Sequence, residues 1–321
     1  MAKHKNVPTE YRNYYLPLSF PVLLLSGDHW RISDVTSMRL HFHNCLEIGV
    51  CHSDSGAMEF YGEPLPFREG DVTVVPRNVP HTTYSAKGTA SLWSYLFIDP
   101  KALFRDFLPG TWKNWDLLAH NSSTYKFILN REEYPGVYET LMLAIKELEN
   151  QKPGYQLSAT GLLLSLYLSI YRIENADSNR DLAGGQAGSA YGTLNSLSIA
   201  PALDYVENNY MKQFSIEFLA GLCHWSPTHF RRVFHDVMGT SPLDYVNNTR
   251  VMKSCDLLCN TQESVLNISG MVGFQSVSSY NRCFIRIMGT SPREYRKQTT
   301  QTNQCAKNQS ILQYSGWMYP E

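Results

Sequence analysis

The chain has 321 residues, of which 43 % are hydrophobic and 18 % charged, and its net charge is −1 at pH 7. This length predicts two or three domains, and a charge so close to zero excludes any argument about partners from overall electrostatics. The seven cysteines include no CxxC pair, which argues against a disulfide framework or a zinc finger, and no signal peptide or membrane span is visible, so we expect a soluble cytoplasmic protein.

Residues 35–100 have the pattern of β-structure. Segments such as DVTVV (71–75) and SLWSYLFI (91–98) are rich in β-branched and aromatic residues, and turn-forming glycines and prolines separate them. Many short strands with frequent turns predict a sandwich or a barrel.

Two helices are predicted after the β-structure, within residues 133–173. The first has apolar residues at 3-4-3 spacing, namely Tyr138, Leu141, Ile145 and Leu148. The second, about residues 157–173, is apolar nearly all round. Two such helices can cover the β-domain of their own chain or pair with a second copy, and the sequence favours neither alternative. Beyond them, residues 175–197 have the small and polar composition of a linker.

The pentapeptide MGTSP occurs twice, at 238–242 and at 288–292. Aligning residues 226–245 with 276–295 gives nine identities in twenty positions, where chance gives about one. Upstream of this block the match continues at an offset of 49, so the second copy has one more residue in its turn. The chain therefore contains an internal repeat.

Each copy of the repeat predicts a short apolar helix that begins at a capping serine, a tight turn, and a second helix with an apolar stripe. The stripes are Phe230, Val233, Phe234 and Val237 in the first copy and Tyr280, Cys283, Phe284 and Ile287 in the second. In MGTSP the glycine can end this second helix, the serine can cap the next one, and the proline fits its first position. Two short helices joined by a tight turn form a helix-turn-helix, and a helix from about 243 to 259 joins the two units.

Polar residues near the start of each second helix are candidates to read bases in the major groove of DNA. They are Thr228, His229, Arg231 and Arg232 in the first copy and Ser278, Ser279, Asn281 and Arg282 in the second. Arginine can bind guanine through two hydrogen bonds, and asparagine suits adenine. The alternative is that these residues only form solvated helix faces, but matched sets in two copies favour contact with double-stranded DNA. Residues 196–300 are also mildly basic, with ten Lys and Arg against eight Asp and Glu.

Three stretches resemble the arabinose-regulator (AraC/XylS) family of transcription factors: LAGLCHWSPTHFRRVF (219–234), GTSPLDYVNNTRVMKSCDLL (239–258) and ISGMVGFQSVSSYNRCFIRIMGTSPREYR (268–296). The resemblance implies base contacts by Thr228, Arg231, Arg232, Ser278, Asn281 and Arg282. It also implies an N-terminal cupin-like β-barrel that senses a small molecule, followed by dimerisation helices. The chain departs from the family pattern at Ser254 and Ser269, where alanine is common. It also lacks some of the basic residues that often follow the second-helix Phe, which suggests fewer phosphate contacts.

HFHNCLEI (41–48) and GDVTVVPRNVPH (70–81) resemble the two cupin motifs. The second motif departs from the cupin pattern at Asn78, where glycine is usual. This resemblance implies that His41, His43, Glu47 and His81 correspond to the metal ligands of cupin enzymes, and such ligands suit Zn, Fe, Ni or Mn. An unbroken strand would put Glu47 roughly 20 Å from His41, so a shared metal requires a turn near Asn44. The predicted function requires no cofactor. The alternatives to a metal site are therefore an effector site without metal and histidines with a structural role.

Aromatic residues near the histidines are candidate walls of an effector pocket, because small effectors such as sugars stack on aromatic rings. They are Trp93 and Tyr95, with Phe60. The alternative is that all three rings only pack in the core.

The sequence thus predicts an α+β multidomain protein. Its parts are a cupin-like β-barrel that binds an effector (1–130), a helical dimerisation or capping segment (131–174), a linker (175–197), an all-α domain with two helix-turn-helix motifs (198–300) and a flexible tail (301–321).

The predicted function is that of a sequence-specific DNA-binding transcription regulator, not an enzyme. It is expected to be a homodimer, not to bind membranes, and to respond to a small molecule, for which a carbohydrate is the first candidate. The effector residues would be His41, His43, Glu47, His81, Trp93 and Tyr95. The alternatives are a cupin metal oxygenase or isomerase with an accessory helical domain, and a helical protein-interaction module. The repeated helix-turn-helix argues against an enzyme, because no catalyst needs two groove-spaced recognition helices.

Overall fold

A computed structural model describes residues 9–107, except 13, 15, 18, 38, 61 and 62, together with residues 126–175 and 198–302. These belong to an N-terminal unit that includes residues 20–175 and a C-terminal unit that includes residues 198–302. All but the first residue of the predicted linker, and residues 303–321 of the predicted tail, lie outside the described residues.

The described residues of the N-terminal unit form short strands that pair into two sheets. The strands are β1 (Thr9–Arg12), β2 (Val22–Leu25), β3 (Arg31–Ile32), β4 (Leu40–His43), β5 (Leu46–Cys51), β6 (Ser55–Phe60), β7 (Glu63–Arg68), β8 (Val72–Val75), β9 (His81–Ser85), β10 (Ser91–Ile98) and β11 (Ile128–Leu129). One sheet has the order β1-β4-β9-β6-β7, and the other has the order β11-β8-β5-β10-β2, with β3 also paired to β10.

These pairings do not form the closed barrel that was predicted for residues 1–130, because among the described strands no ladder joins the ends of the two sheets. The chain instead crosses from one sheet to the other at the bend between β4 and β5. The sheets lie face to face, and the ring of Phe67 from β7 packs edge-on against Trp93 of β10, with 4.8 Å between the centroids. The other predicted architecture, a sandwich, describes this arrangement.

Strand β5 shows why its sequence, LEIGVC, is apolar on nearly every residue. Side chains alternate across a sheet. Leu46, Ile48 and Val50 lie in a core shared with two helices, while the alternate side chains, including Glu47, face the other sheet. The strand is therefore buried on both faces.

Two helices, α2 (Pro135–Asn150) and α3 (Tyr155–Asn175), follow a short α1 (Pro100–Leu103) and cover the outer face of the sheet that contains β5. Their buried faces include Leu141 and Ile145 of α2 and Leu163 of α3. Of the two alternatives for these helices, a cap on their own chain accounts for this buried face. Leu143 and Leu157 remain exposed.

The C-terminal unit is helical. Its helices are α4 (Ala200–Asn209), α5 (Ile216–Leu222), α6 (Pro227–Met238), α7 (Pro242–Asn260), α8 (Val265–Met271), α9 (Val277–Met288) and α10 (Pro292–Thr302). The pairs α5–α6 and α8–α9 are the two predicted helix-turn-helix units, and α7 connects them. Within the described residues, no helix of either unit is long and apolar enough to cross a membrane.

The repeated pentapeptide does what its residue types predict. Gly239 and Gly289 end α6 and α9 at φ of 66° and 73°, in the left-handed region. Ser241 then accepts a hydrogen bond from the amide of Asp244 and caps α7, whose first residue is Pro242. The prediction that MGTSP is a stop-and-start signal between helices is confirmed.

Candidate nucleic-acid interface and histidine cluster

The first recognition helix, α6, begins at Ser226, whose side chain accepts from the amide of His229. Phe230, Val233 and Phe234 are buried, as the apolar stripe predicts. The opposite face carries the predicted reading residues: Thr228, Arg231 and Arg232 are exposed, and His229 is half-buried.

The second recognition helix, α9, repeats this construction. Ser276 caps it by accepting from the amide of Ser279, and Tyr280 and Phe284 are buried. Ser278 and Arg282 are exposed, while Ser279 and Asn281 are half-buried. The Ser279 hydroxyl also accepts a hydrogen bond from Ser276 at 3.1 Å, so some of its polar capacity serves the cap. In each unit, the predicted residues therefore lie together on one polar face.

Charged side chains flank both recognition helices. Arg231 donates to the carboxylate of Glu217 on α5 at 2.9 Å, and Arg286 on α9 lies 2.9 Å from Asp244 on α7. The hydrogen bond from Ser241 and the Arg286 guanidinium hold the pKa of Asp244 below its usual value. Sequence reasoning did not identify Glu217 as a partner of Arg231, since the pair joins two different helices.

The turns of the two units share one backbone feature. The residue after the C-cap of the first helix has positive φ in both, +56° at His224 and +91° at Gly273. The next amide then returns to the first helix, from Trp225 to Ala220 O at 3.0 Å and from Phe274 to Ser269 O at 2.9 Å. The two turns, which differ in sequence and by one residue in length, therefore begin with the same backbone geometry.

The predicted histidine cluster forms between the two sheets of the N-terminal unit. β4 ends at His43 and the chain bends at Asn44 and Cys45, as a shared site requires. His41 pairs with His81 across β4 and β9, with 4.2 Å between their ring centroids. Glu47 reaches across from β5 in the facing sheet, and the ligand atoms of His41, Glu47 and His81 all lie within 4.8 Å of one another.

The second cupin-like motif keeps its turn despite Asn78 in place of glycine. Asn78 has φ of 61°, and asparagine tolerates this left-handed conformation better than most residues. The backbone N–H of Asn78 donates to the backbone carbonyl of His43 at 2.8 Å. The substitution therefore leaves His81 beside the other histidines.

Backbone carbonyls determine which ring nitrogen carries the hydrogen in two histidines of the cluster. Nδ1 of His43 lies 3.0 Å from the carbonyl oxygen of Cys45, and Nδ1 of His81 lies 2.9 Å from that of Val79. A carbonyl oxygen only accepts, so each Nδ1 carries a hydrogen, and Nε2 of a neutral ring then has only its lone pair. Both Nε2 atoms face Oε2 of Glu47, at 3.0 Å from His43 and 3.7 Å from His81.

Nitrogen lone pairs opposite a carboxylate repel it unless a cation lies among them. Metal-binding histidines commonly hold their orientation by donating the other ring N–H to a backbone carbonyl, as His43 and His81 do. The residues present therefore fit a divalent metal ion.

Burial dominates the electrostatics of the cluster. It lowers the pKa of His43, and together with the neighbouring His81 it lowers the pKa of His41 well below its usual value. Burial raises the pKa of Glu47, but a proton or positive charge at the facing nitrogens of His43 and His81 lowers it more, so this pKa lies below its usual range. Burial thus favours neutral imidazoles at His41 and His43, close to an ionised Glu47 carboxylate.

The two predicted aromatic walls are buried in the same interior. Trp93 and Tyr95 stack on each other with 5.4 Å between centroids, and the Trp93 indole N–H donates to Ser91 Oγ at 2.8 Å. Burial, followed by the charge of Glu47, raises the pKa of Tyr95. The third aromatic candidate, Phe60, stacks on His81 at 6.1 Å.

Two residues near the cluster were missed. Phe97 continues the period-two row of Trp93 and Tyr95 and lies edge-on to His43 at 5.8 Å, so strand alternation was a signal for it. Tyr14 packs on Phe97 at 4.2 Å and on His43 at 5.6 Å. The Asn44 side chain holds Tyr14 there by bonding both its amide and its carbonyl, a link over thirty residues that no local pattern predicts.

Comparison with known proteins agrees with the construction of the C-terminal unit. Residues 219–298 match the family model described as "Helix-turn-helix domain". The chain is 30 % identical over 70 residues to the bifunctional transcriptional activator/DNA repair enzyme AdaA of Bacillus subtilis, a match that covers 22 % of this chain and 33 % of that protein. It is 25 % identical over 279 residues to the HTH-type transcriptional regulator MtrA of Neisseria gonorrhoeae, covering 82 % of this chain and 88 % of that one. Among solved structures, the DNA-binding domain of the transcriptional factor AdpA in complex with a target DNA covers 33 % of this chain and 97 % of its own, with 29 % identity and a TM-score of 0.32.

The C-terminal unit is thus an AraC-type helix-turn-helix domain, which is a DNA-binding domain. Over most of its length the chain is similar to helix-turn-helix transcription regulators, and the domain at its C-terminus is of the AraC type that its repeated motifs predicted. The prediction that it is not an enzyme is confirmed by this relationship, because the relative matched over most of the chain is named as a regulator. The alternative of a cupin metalloenzyme has no support.

Proposed function

We propose that this chain regulates transcription by binding a specific double-stranded DNA site with α6 and α9 and a small effector in its N-terminal unit. One observation carries the proposal for DNA: two units of the same construction present polar residues at matched positions of their second helices, Arg232 and Arg282 among them. The N-terminal end of a recognition helix is the segment that contacts base edges in the major groove.

Selection of bound duplexes from a random pool tests this function. It is carried out with the full chain at about 150 mM salt, where non-specific attraction to phosphates is suppressed. We expect enrichment of a site with two short blocks about 10 base pairs apart, one for each recognition helix. An unenriched pool, with and without added metal ions and sugars, would contradict the proposal and favour a protein-interaction module.

The effector site of the N-terminal unit would be the histidine cluster. His41, His43, Glu47 and His81 would hold a divalent ion such as zinc, nickel, iron or manganese, and a bound ion would supply a positive charge opposite the Glu47 carboxylate. Because the Nδ1 protons of His43 and His81 are held by backbone carbonyls, the Nε2 lone pairs are available to a metal ion. This arrangement supports an ion as the effector more directly than it supports a sugar. A sugar stacked on Trp93 or Tyr95 would have to separate these rings, which now stack on each other.

An effector changes DNA binding only if it binds one arrangement of the protein more tightly than another. Because the His41–His81 pair lies in one sheet and Glu47 in the other, a bound ion would favour the conformation in which the two sheets are held together. That conformation would be the one coupled to DNA affinity.

The protein would act as a homodimer through α3. On this helix, Leu157, Gly161, Leu164, Leu168 and Tyr171 recur at 4-3-4-3 spacing, which is the spacing of a coiled-coil seam. Leu157 is 70 % exposed, and the other four residues are exposed or half-buried. A second copy of the same helix is the partner that matches this repeat, since a two-fold axis brings one seam against itself.

A further inference from the structure

The segment that leads into the first helix-turn-helix unit contacts the turn of the second unit. Gly273 in this turn is buried, and a Cβ added to it would lie 2.7 Å from the carbonyl oxygen of Tyr210 and 2.8 Å from that of Met211. Gln213 Nε2 donates to the Gly273 carbonyl at 2.8 Å. The segment that leads into α5 of the first unit therefore rests on the backbone of the second turn.

One side chain from the connecting helix holds this contact. Arg250 of α7 is only 8 % exposed, and its guanidinium donates to Tyr210 O at 2.8 Å and to Lys212 O at 2.9 Å. The same guanidinium lies 5.8 Å from the ring centroid of Phe214, in the segment before α5, and 5.8 Å from that of Phe274, in the second turn. Arg250 thus joins the segment before the first unit to the turn of the second unit, through hydrogen bonds and ring contacts.

The first unit shows that the left-handed turn alone does not require glycine. His224 occupies the position matched to Gly273 and adopts a positive φ with a full side chain. What differs at Gly273 is the close approach of the Tyr210 and Met211 carbonyls. Glycine is therefore needed at 273 for the contact between units.

A second arginine serves as an internal comparison for Arg250. Arg296 of α10 donates to Leu258 O at 3.1 Å and to Glu263 O at 2.7 Å, on the segment that leads into α8. It makes the same kind of bonds as Arg250, but only to the second unit and the segment that precedes it. Replacing Arg296 therefore tests the loss of such bonds without loosening the contact between the two units.

We propose that Arg250 and Gly273 are positioning residues that fix the separation of α6 and α9, so that the protein accepts a single spacing between the two blocks of its DNA site. This inference rests on the proposed function, because spacing matters only if both helices read DNA. One added base pair moves the blocks apart by about 3.4 Å, a shift that the Arg250 hydrogen bonds and the Gly273 contact could not follow without breaking.

The experiment compares spacing preference in full-length variants. Binding is measured to the duplex that the wild type selects, to the same duplex with one base pair added or removed between the blocks, and to a duplex with one block only. The test variants are Arg250→Lys, Gly273→Ala and Gln213→Ala, and the matched controls are Arg296→Lys and His224→Ala. Gln213 is exposed, so its variant keeps the fold even if Gly273→Ala does not.

We expect the wild type and both controls to bind the altered spacings about tenfold more weakly than the selected one. In the test variants this ratio should fall to about threefold or less, while binding to the single block stays unchanged. Test variants that keep the wild-type ratio would overturn the inference, and so would a loss that is equal on every duplex. If the wild type selects no two-block site at all, the proposed function fails first and this inference fails with it.

Discussion

Arg231 on the first recognition helix donates to the Glu217 carboxylate on the preceding helix, with 2.9 Å between the two atoms. Both side chains are at least half exposed, at 50 % and 59 %, so solvent screens the pair and it can be exchanged for another partner. In the second unit, the matched positions hold Leu266 and Asn281, and this ion pair has no counterpart there. The two recognition helices therefore differ at this position, and if α6 reads DNA as proposed, Glu217 would compete with DNA for the Arg231 guanidinium.

Replacing Glu217 by glutamine should strengthen binding to the selected site by about two- to fivefold, because Arg231 is then released. Fluorescence anisotropy with a labelled duplex at constant salt measures this change. The control is the same replacement in an Arg231→Ala background, where we expect no gain. An equal gain with and without Arg231 would mean that Glu217 acts only by repelling DNA phosphates.

Arg232 and Arg282 should each determine one base of the site. Alanine at either position should cost about 1–3 kcal/mol on the selected duplex and relax the preference at a single base pair, if the arginine binds guanine through two hydrogen bonds. The control is Arg293→Ala, which removes an exposed arginine from α10 and should weaken all sequences alike. Uniform weakening by Arg232→Ala and Arg282→Ala as well would contradict base reading.

The histidine cluster should retain about one divalent ion per chain after dialysis, measured by elemental analysis, since three ligand atoms already lie within 4.8 Å of one another. His81→Ala and Glu47→Gln should reduce this content severalfold, because each removes one ligand. The bound ion should also raise the unfolding temperature of the wild type, as any ligand specific for the folded state does.

The matched control for the metal measurement is His29→Ala, which removes an exposed histidine outside the cluster. It should keep the wild-type metal content. Wild-type protein that retains no ion, or a loss as large in His29→Ala, would leave the cluster as a structural feature of the core.

The C-terminal unit could be predicted closely from sequence because its signals act over a few residues. Ser226 caps α6 by accepting a hydrogen bond from the backbone amide three residues further on, and Gly239 ends this helix through its own backbone conformation. The stripe of Phe230, Val233 and Phe234 follows from the helical period alone. Nothing in these features depends on a distant segment.

The features that could not be predicted depend on pairs far apart in the chain. Whether the strands form two sheets or a closed barrel depends on which strands lie at the sheet edges. The alternation of apolar and polar residues along each strand is the same in both cases, so it does not distinguish them. Arg250 reaches carbonyls about forty residues before it, and Asn44 holds Tyr14 thirty residues before it. Contacts between such distant residues leave no repeating pattern in the sequence from which they could be predicted.

Oligomeric state is the remaining property to test, and α3 offers a direct way. Introducing glutamate at Leu157 and Leu164 together should convert a dimer into a monomer, because it places like charges on both sides of a self-complementary seam. Light scattering coupled to size-exclusion chromatography measures the mass. The control is Leu143→Glu, since Leu143 is 55 % exposed on α2 but lies outside the seam, and this variant should stay dimeric.

The same α3 variant has a consequence on DNA. A monomer carries both recognition helices, so it should still select the two-block site, but it should lose any preference for two copies of that site on one duplex. If Leu157→Glu with Leu164→Glu keeps the wild-type mass, the seam is not the contact between subunits. If the wild type itself is a monomer, the seam on α3 does not pair two copies of the chain.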